Sequence, residues 1–582
     1  MTTHAADLRY DLIIRGGQVL DGRGGAAVLA DVAVRDGLIV AIGEVNGYGA
    51  EEIDARGKLV TPGFVDIHTH YDGQASWDRF LTPSSLHGVT TVVMGNCGVG
   101  FAPVKPADHD RIIELMEGVE DIPGTALHEG LAWTWSSFPE YLDEIEKLPH
   151  DIDLCAQLPH GALRLYVMGE RALRHELATD DDMRRMRALV SESIRAGAFG
   201  VSTSRTMVHR SSRGDLTPSI AAAENELTHI ALGIRDAGFG VLEAISDWLD
   251  ERADDFAMFR RIVERSGIPC SISLMQDGNQ PGRWREVLTQ LEAARRDGLP
   301  MTGQVAPRAV GLVMTVESSV SPFQDCAAYA SLKALSLADK LRTMRDPSFR
   351  ALLLAQADAL DRNPPADRKP TLSRHFERVY PLGDPLNYEP LANHSVAALA
   401  QLQGISPYAY FYDLMANGDG SNALYVPIFN YVDGNYEACR EMLASSATLP
   451  GLGDAGAHVG TICDASFTTY LLTYWGRDRR AGRFDLGWLI KRLTSDTAHA
   501  VGLTDRGVLA PGKKADINVI DFARLRIEAP VMANDLPAGG KRFMQGAEGY
   551  DASIVSGVVI RRNGVATGAT PGRLVRNGRV AE

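Results

Sequence analysis

Leu59-Val-Thr-Pro-Gly-Phe-Val-Asp-Ile-His-Thr-His70 is the stretch whose reading decides the fold. Residues two apart on a strand share a face. His68 and His70 therefore project together from the end of an apolar strand, with Asp66 behind them. Two neutral imidazoles side by side hold a divalent ion. A His-x-His pair alone is weak evidence, because two satisfied core histidines produce the same string. Its surroundings add weight: the strand runs into a loop, another apolar strand follows, and a lone aspartate, Asp454, ends a much later strand.

Working outward, strands alternate with helices. Eight strand candidates are 60–66, 90–94, 152–156, 197–202, 239–244, 269–274, 300–305 and 448–453, with helical segments such as 181–196, 255–266 and 284–297 between them. Eight βα units argue for an α/β fold of the (β/α)8 TIM-barrel type, with its active site at the C-terminal ends of the strands. Residues 309–447 are too long for one connection. They are expected to add helices near 336–360 and 395–402 and to form an insertion or lid. Both chain ends carry short strands and glycine turns, such as Asp11-Leu-Ile-Ile-Arg-Gly-Gly-Gln-Val-Leu20 and the Asp-Gly hairpin of 30–43. The expectation is a small β-sandwich domain assembled from 1–62 and 507–582, with a catalytic barrel over 63–506.

Composition narrows the function. The 582-residue chain can bury a large core. Its net charge of −15 argues against nucleic acid. Six scattered cysteines fit a reducing compartment better than a disulfide framework. The first ten residues carry charges and no apolar core, and no apolar run approaches the ~20 residues of a membrane span. The chain reads as cytoplasmic, acting on a small molecule, with no membrane partner; oligomeric state leaves no readable trace.

The strand ends supply the candidates. After His68 and His70 come Cys97 in Gly95-Asn-Cys-Gly98, His160, Ser202 to Ser204, Glu243, Gln276, Gln304 with Arg308, and Asp454 with His458. Each has a plainer reading. Cys97 is also explained as an inert buried thiol, His160 as a structural histidine, and Glu243 as a hydrogen-bonded core carboxylate. Ser202 to Ser204 suit capping the next element. His209, beside Arg205 and Arg210, and Arg308 suit gripping a substrate carboxylate, or a solvated basic loop. His458 is read as substrate-facing or as support for Asp454, and Asp66 as a residue orienting a histidine ligand. Two His, a Cys and an Asp at one barrel mouth make up a hydrolytic metal site.

The strings Gly63-Phe-Val-Asp-Ile-His-Thr-His70, Gly95-Asn-Cys-Gly98, Gly453-Asp454 and Gly507-Val-Leu-Ala-Pro-Gly-Lys-Lys-Ala-Asp516 resemble the amidohydrolase superfamily. Within it the chain is similar to the N-acyl-D-amino-acid deacylase (D-aminoacylase) branch, from about Asp11 to Arg579. Gly-Asn-Cys-Gly is the more specific marker, because this branch places cysteine where most amidohydrolases use a lysine or glutamate to bridge metals. The resemblance implies a metal-bearing barrel with a composite β-sandwich, and amide hydrolysis by metal-activated water. It implies His68, His70 and Cys97 as metal ligands and Asp454 as both ligand and general base. It also implies histidines at the ends of strands five and six. This chain has Glu243, Leu274 and Gln276 there instead, and no histidine between His229 and His375. One zinc ion per chain is the expectation; two ions, with Glu243 as a further ligand, is the alternative. The functional expectation is hydrolysis of an N-acyl amino acid or related small amide. Alternatives are a lactone, ester or C–C hydrolase on the same metal site, and a silent ligand-binding barrel.

Overall fold

The computed structural model describes residues 9–248, 252, 254–366, 368 and 371–577. Most of the N-terminal segment read above as free of a leader lies outside them. Eight parallel strands follow chain order: β1 (Phe64–Asp66), β2 (Val89–Met94), β3 (Asp153–Pro159), β4 (Gly200–Arg205), β5 (Val241–Ser246), β6 (Cys270–Ser273), β7 (Met301–Val305) and β8 (Thr448–Pro450). Just past β1 and β8 the ring closes: Thr69 pairs with Ala455, and the His70 amide donates to the Ala455 carbonyl at 2.7 Å. Both faces of such a sheet are covered, which is why β2 reads Val-Thr-Thr-Val-Val-Met and is buried throughout.

The expected strands differ from the observed ones by a few residues at their ends, and three of the differences have a visible cause. The single strand expected over 60–66 is two: Leu59–Pro62 belongs to a different sheet, and β1 starts after Gly63. Gly63 permits the break because a Cβ there would stand 2.2 Å from Thr90 Oγ1. Strand β4 begins at Gly200 rather than 197, because Gly197 ends the helix Asp180–Ala196 at φ 124°. Strand β8 stops at Pro450, and Leu452 and Asp454 then take left-handed backbone angles of 58° and 46°.

Leu59–Pro62 lies inside a nine-stranded sheet made from both chain ends. It pairs parallel with Arg9–Val19 and antiparallel with Ile517–Ile520, setting Val60 between Val19 and Val519. Alternate residues Leu12, Ile14, Val32, Val34, Ile517 and Val519 fill its core. Residues 309–447 carry a three-stranded sheet (Gly311–Met314, Leu424–Pro427, Tyr380–Pro381) and an apolar cluster of their own. The helix expected near 336–360 is two, Leu337–Met344 and Pro347–Arg362, because Asp346 accepts from the Ser348 and Phe349 amides and Pro347 starts a new helix. No helix among the described residues is long and apolar enough to cross a membrane.

A buried ion cluster ties the C-terminal segment to the barrel. Asp153 on β3 contacts both Arg506 and Lys514, the latter at 2.9 Å. Lys514 also bonds Asp516 at 2.6 Å, and Arg506 donates to Thr91 on β2 at 2.9 Å. Burial opposes the Asp153 charge, but the two cations outweigh it and hold its carboxyl below the usual range. Asp153→Ala would strand two buried cations and is expected to cost about 3–5 kcal/mol, read as a lowered thermal midpoint. Because the folded pKa is depressed, the Asp153 contribution is complete above pH ~4 and is lost as pH falls below that. Acid titration of the wild type against Asp153→Asn measures it.

Candidate metal centre

His68 and His70 stand just past β1, both buried, with ring centroids 5.5 Å apart. The tautomer of His68 follows from its neighbours. Gln304 on β7 spends its amide nitrogen on Ser271 Oγ at 2.8 Å, so its Oε1 accepts from His68 Nδ1 at 2.8 Å. Nε2 is left with a lone pair pointing into the barrel mouth. Burial pushes the His68 pKa down to about 4, which keeps that ring neutral. Asp66 Oδ1 accepts from the His68 amide at 3.1 Å, bracing the turn below the ring.

Cys97 arrives on the loop after β2. Asn96 pins that loop, donating to the carbonyls of Thr69 at 3.0 Å and Val93 at 2.8 Å and accepting from Gln157 at 2.8 Å. Gly95 is required because a Cβ there would sit 2.2 Å from the Gln157 carbonyl. Cys97 itself holds a left-handed φ of 54°, a conformation costing roughly 1–2 kcal/mol outside glycine. Its Sγ lies 3.3 Å from His68 Nε2. Burial, with Glu243, Glu120 and Asp454 nearby, pushes the thiol far up.

Asp454 stands beside the two imidazoles, outside the cluster formed by His68, His70 and Cys97. Its Oδ1 is 3.3 Å from His68 Nε2 and 3.6 Å from His70 Nε2. Burial works against its charge, but His70 and His68 hold the carboxyl well below its usual range. One nitrogen from each imidazole and the Cys97 sulfur lie within 4.8 Å of one another. Ligands ~2.0–2.3 Å from one zinc ion lie up to ~4.6 Å apart, close to that bound. The chemistry and the spacing therefore fit a divalent cation of zinc's type.

Around these four, the other expected site residues divide. Half-buried His209 hydrogen-bonds Ser204 Oγ at 3.0 Å, and half-buried His458 lies 3.9 Å from Glu120 Oε2; both face the same mouth. Burial, with His458, His70 and His68 beside it, drives His209 down to about 3. Glu243 is outside the cluster: its Oε2 accepts the Cys97 amide at 3.0 Å, so it braces the cysteine loop, and burial raises its pKa to about 8. His160 is turned aside, bonded to Thr203 at 2.9 Å and Glu226 at 2.9 Å, with Arg164 on the same carboxylate. Arg308 is also committed elsewhere: its guanidinium bonds Asp464 at 2.9 Å and lies 3.9 Å above the Tyr388 ring. Gln276 ligates nothing; it donates to Asp433 at 2.7 Å and its amide to Asn430 Oδ1 at 2.8 Å, fastening the 309–447 segment to the end of β6.

Glu120 was absent from the sequence reading. It ends the helix His109–Glu120 and is buried, with Oε1 3.3 Å from His70 Nδ1. Burial lowers the His70 pKa, yet Glu120 and Asp454 overcome this and lift it to about 9. No strand-end position marks Glu120; the only hint is an acid before the breaker run Asp121-Ile-Pro-Gly124.

A model of the amidohydrolase family matches residues 51–561. The chain belongs to the amidohydrolase family. An uncharacterised protein of Mycobacterium tuberculosis is 27% identical to this amidohydrolase over 89% of the chain and 85% of its own length. D-aminoacylase of Alcaligenes xylosoxydans xylosoxydans is 31% identical over 49% of the chain and 55% of its length. A solved D-aminoacylase structure, described with a binuclear metal centre, one-metal activation and second-metal attenuation, aligns at a TM-score of 0.65. That alignment covers 97% of this chain and all of the other at 24% identity, and it shows a shared fold.

Gly95→Ala is expected to displace the cysteine loop of this amidohydrolase and cost about 2 kcal/mol or more. Denaturant unfolding measures the loss, and faster Cys97 modification by a thiol reagent reports the displaced loop.

Proposed function

We propose that this amidohydrolase cleaves the amide bond of an N-acyl amino acid at a single zinc ion held by His68, His70, Cys97 and Asp454. The observation that carries the reading is the position of Asp454 Oδ1, within 3.6 Å of both imidazole Nε2 atoms while Cys97 Sγ lies 3.3 Å from one of them. Two nitrogens, one sulfur and one carboxylate oxygen suit zinc. Sequence similarity to D-aminoacylase supports the substrate class. A single ion is favoured because Glu243 serves the Cys97 amide and Gln276 serves the 309–447 segment.

A divalent ion bound here supplies Lewis-acid polarisation of a carbonyl and a lowered water pKa. The chain's own groups do the rest. Asp454 is ionised, so its carboxylate takes the proton of the attacking water and delivers it to the leaving nitrogen. His458 and His209 line the mouth and offer ring N–H donors to the developing oxyanion or to the substrate carboxylate. Glu120 takes the Nδ1 side of His70, which leaves Nε2 toward the centre. Such carboxylate–histidine pairs fix ring orientation and raise ligand basicity.

Metal content by mass spectrometry, run alongside hydrolysis of N-acetyl amino acids, tests the reading. The expected result is about one zinc per chain in the wild type, lost with activity in His68→Ala and Asp454→Ala. Two ions per chain would overturn the single-ion reading, and none after supply of zinc, manganese or iron would overturn the hydrolytic one. Glu120→Gln is expected to weaken zinc binding roughly 10- to 100-fold, measured by competition with a chelator.

A further inference from the structure

A cleft of about 90 Å³ opens on the barrel face that carries the candidate metal centre, at the ends of β4, β5 and β6. His209 is common to both. It lines the cleft, and it senses the charges of His458, His70, Asp454 and His68. His209 also hydrogen-bonds Ser204 at the end of β4, so the cleft opens on the same C-terminal face of the barrel as the candidate ligands.

The walls are apolar. Ile245, Trp248 and Met275 come from the barrel, and Phe429 is contributed by the 309–447 segment. Trp248 is fixed, its Nε1 donating to the Ser273 carbonyl at 2.8 Å. Phe429 is held by its neighbour Asn430, whose backbone and side chain both bond Gln276. The cleft is thus preformed rather than assembled from loose side chains.

Its charge is one-sided. Asp247 and Asp277 line it, and no lysine or arginine does among the described residues. Among the described residues, Asp247 accepts from the Thr206 hydroxyl and the Met207 amide, and Asp277 from the Asn279 amide at 2.6 Å. These donors are neutral, and neither carboxylate has an ion-pair partner among the described residues. An incoming carboxylate would meet repulsion without a compensating cation. An ammonium or guanidinium tip would meet both acids, and its methylene stem would lie along Met275, Trp248 and Phe429.

We infer that this cleft receives the side chain of the substrate's amino-acid moiety and selects a long, cation-tipped side chain against an acidic one. The inference rests on the N-acyl amino acid reading above and narrows its substrate class.

The test uses the zinc-loaded full chain and both enantiomers of N-acetyl lysine and N-acetyl glutamate. The lysine derivative is expected to exceed the glutamate derivative at least tenfold in kcat/KM. The double variant Asp247→Asn, Asp277→Asn should shrink that ratio about tenfold; because both substrates are read on the same protein, partial unfolding cancels. A glutamate preference, or a ratio the variant leaves alone, overturns the inference while amide hydrolysis stands. If no N-acetyl amino acid is cleaved, the function proposed above fails, and the cleft is tested directly by calorimetry with hexylammonium and hexanoate. Hexylammonium binding that is lost in the double variant upholds the cleft's selectivity. Equal or tighter hexanoate binding, or no binding of either, overturns it.

Discussion

One backbone hydrogen bond, from the His70 amide to the Ala455 carbonyl, joins the beginning of the barrel to its end. It closes the ring of strands, and it also delivers Asp454 to the two imidazoles. The residues on either side of the junction are ligand candidates, so barrel closure and site assembly are one event. The cost is local: Leu452, Asp454 and His458 all hold left-handed backbone angles within seven residues of one another. Such strain persists only where surrounding packing over-determines it. Here Tyr71, Phe467 and the first strand supply that packing.

The centre is crowded with acid in a dry place. Burial lifts Asp66 and Asp72 to about 7 and Glu243 to about 8, and it raises Glu120 as well. Five carboxylates, counting Asp454, surround two histidines and a thiol with no arginine or lysine among them. Low dielectric makes such a collection costly unless a cation joins it. A divalent ion bound here would favour the ionised forms of the acids behind the ligands, which burial alone holds back.

How much of this was legible before folding depended on range. His68, His70, Cys97 and Asp454 stand at strand ends, where period-two alternation and the order of βα units place them without knowledge of partners. The eight strands were visible for the same reason, with errors of a few residues where Gly63 and Gly197 end elements early. His160 and Arg308 also stand at strand ends, and there the rule misled. Their partners, Glu226 on the helix Glu224–Ala237 and Asp464 in the loop after β8, lie 66 and 156 residues away. Glu120 was invisible because it reaches His70 from the end of a helix inside a loop, where no periodicity points inward.

The nine-stranded sheet has a consequence for the order in which the molecule takes shape. Its central strand, Leu59–Pro62, has one neighbour near the start of the chain and the other at 517–520. During synthesis that strand emerges with one edge unsatisfied and waits while more than four hundred residues of barrel are made. Contacts of such sequence separation are slow to form. An apolar strand with an open edge is a template for wrong pairing in the interval. Sequestering Val60 until Val519 arrives is a kinetic problem, and the barrel growing directly out of Pro62 is the nearest surface able to shield it.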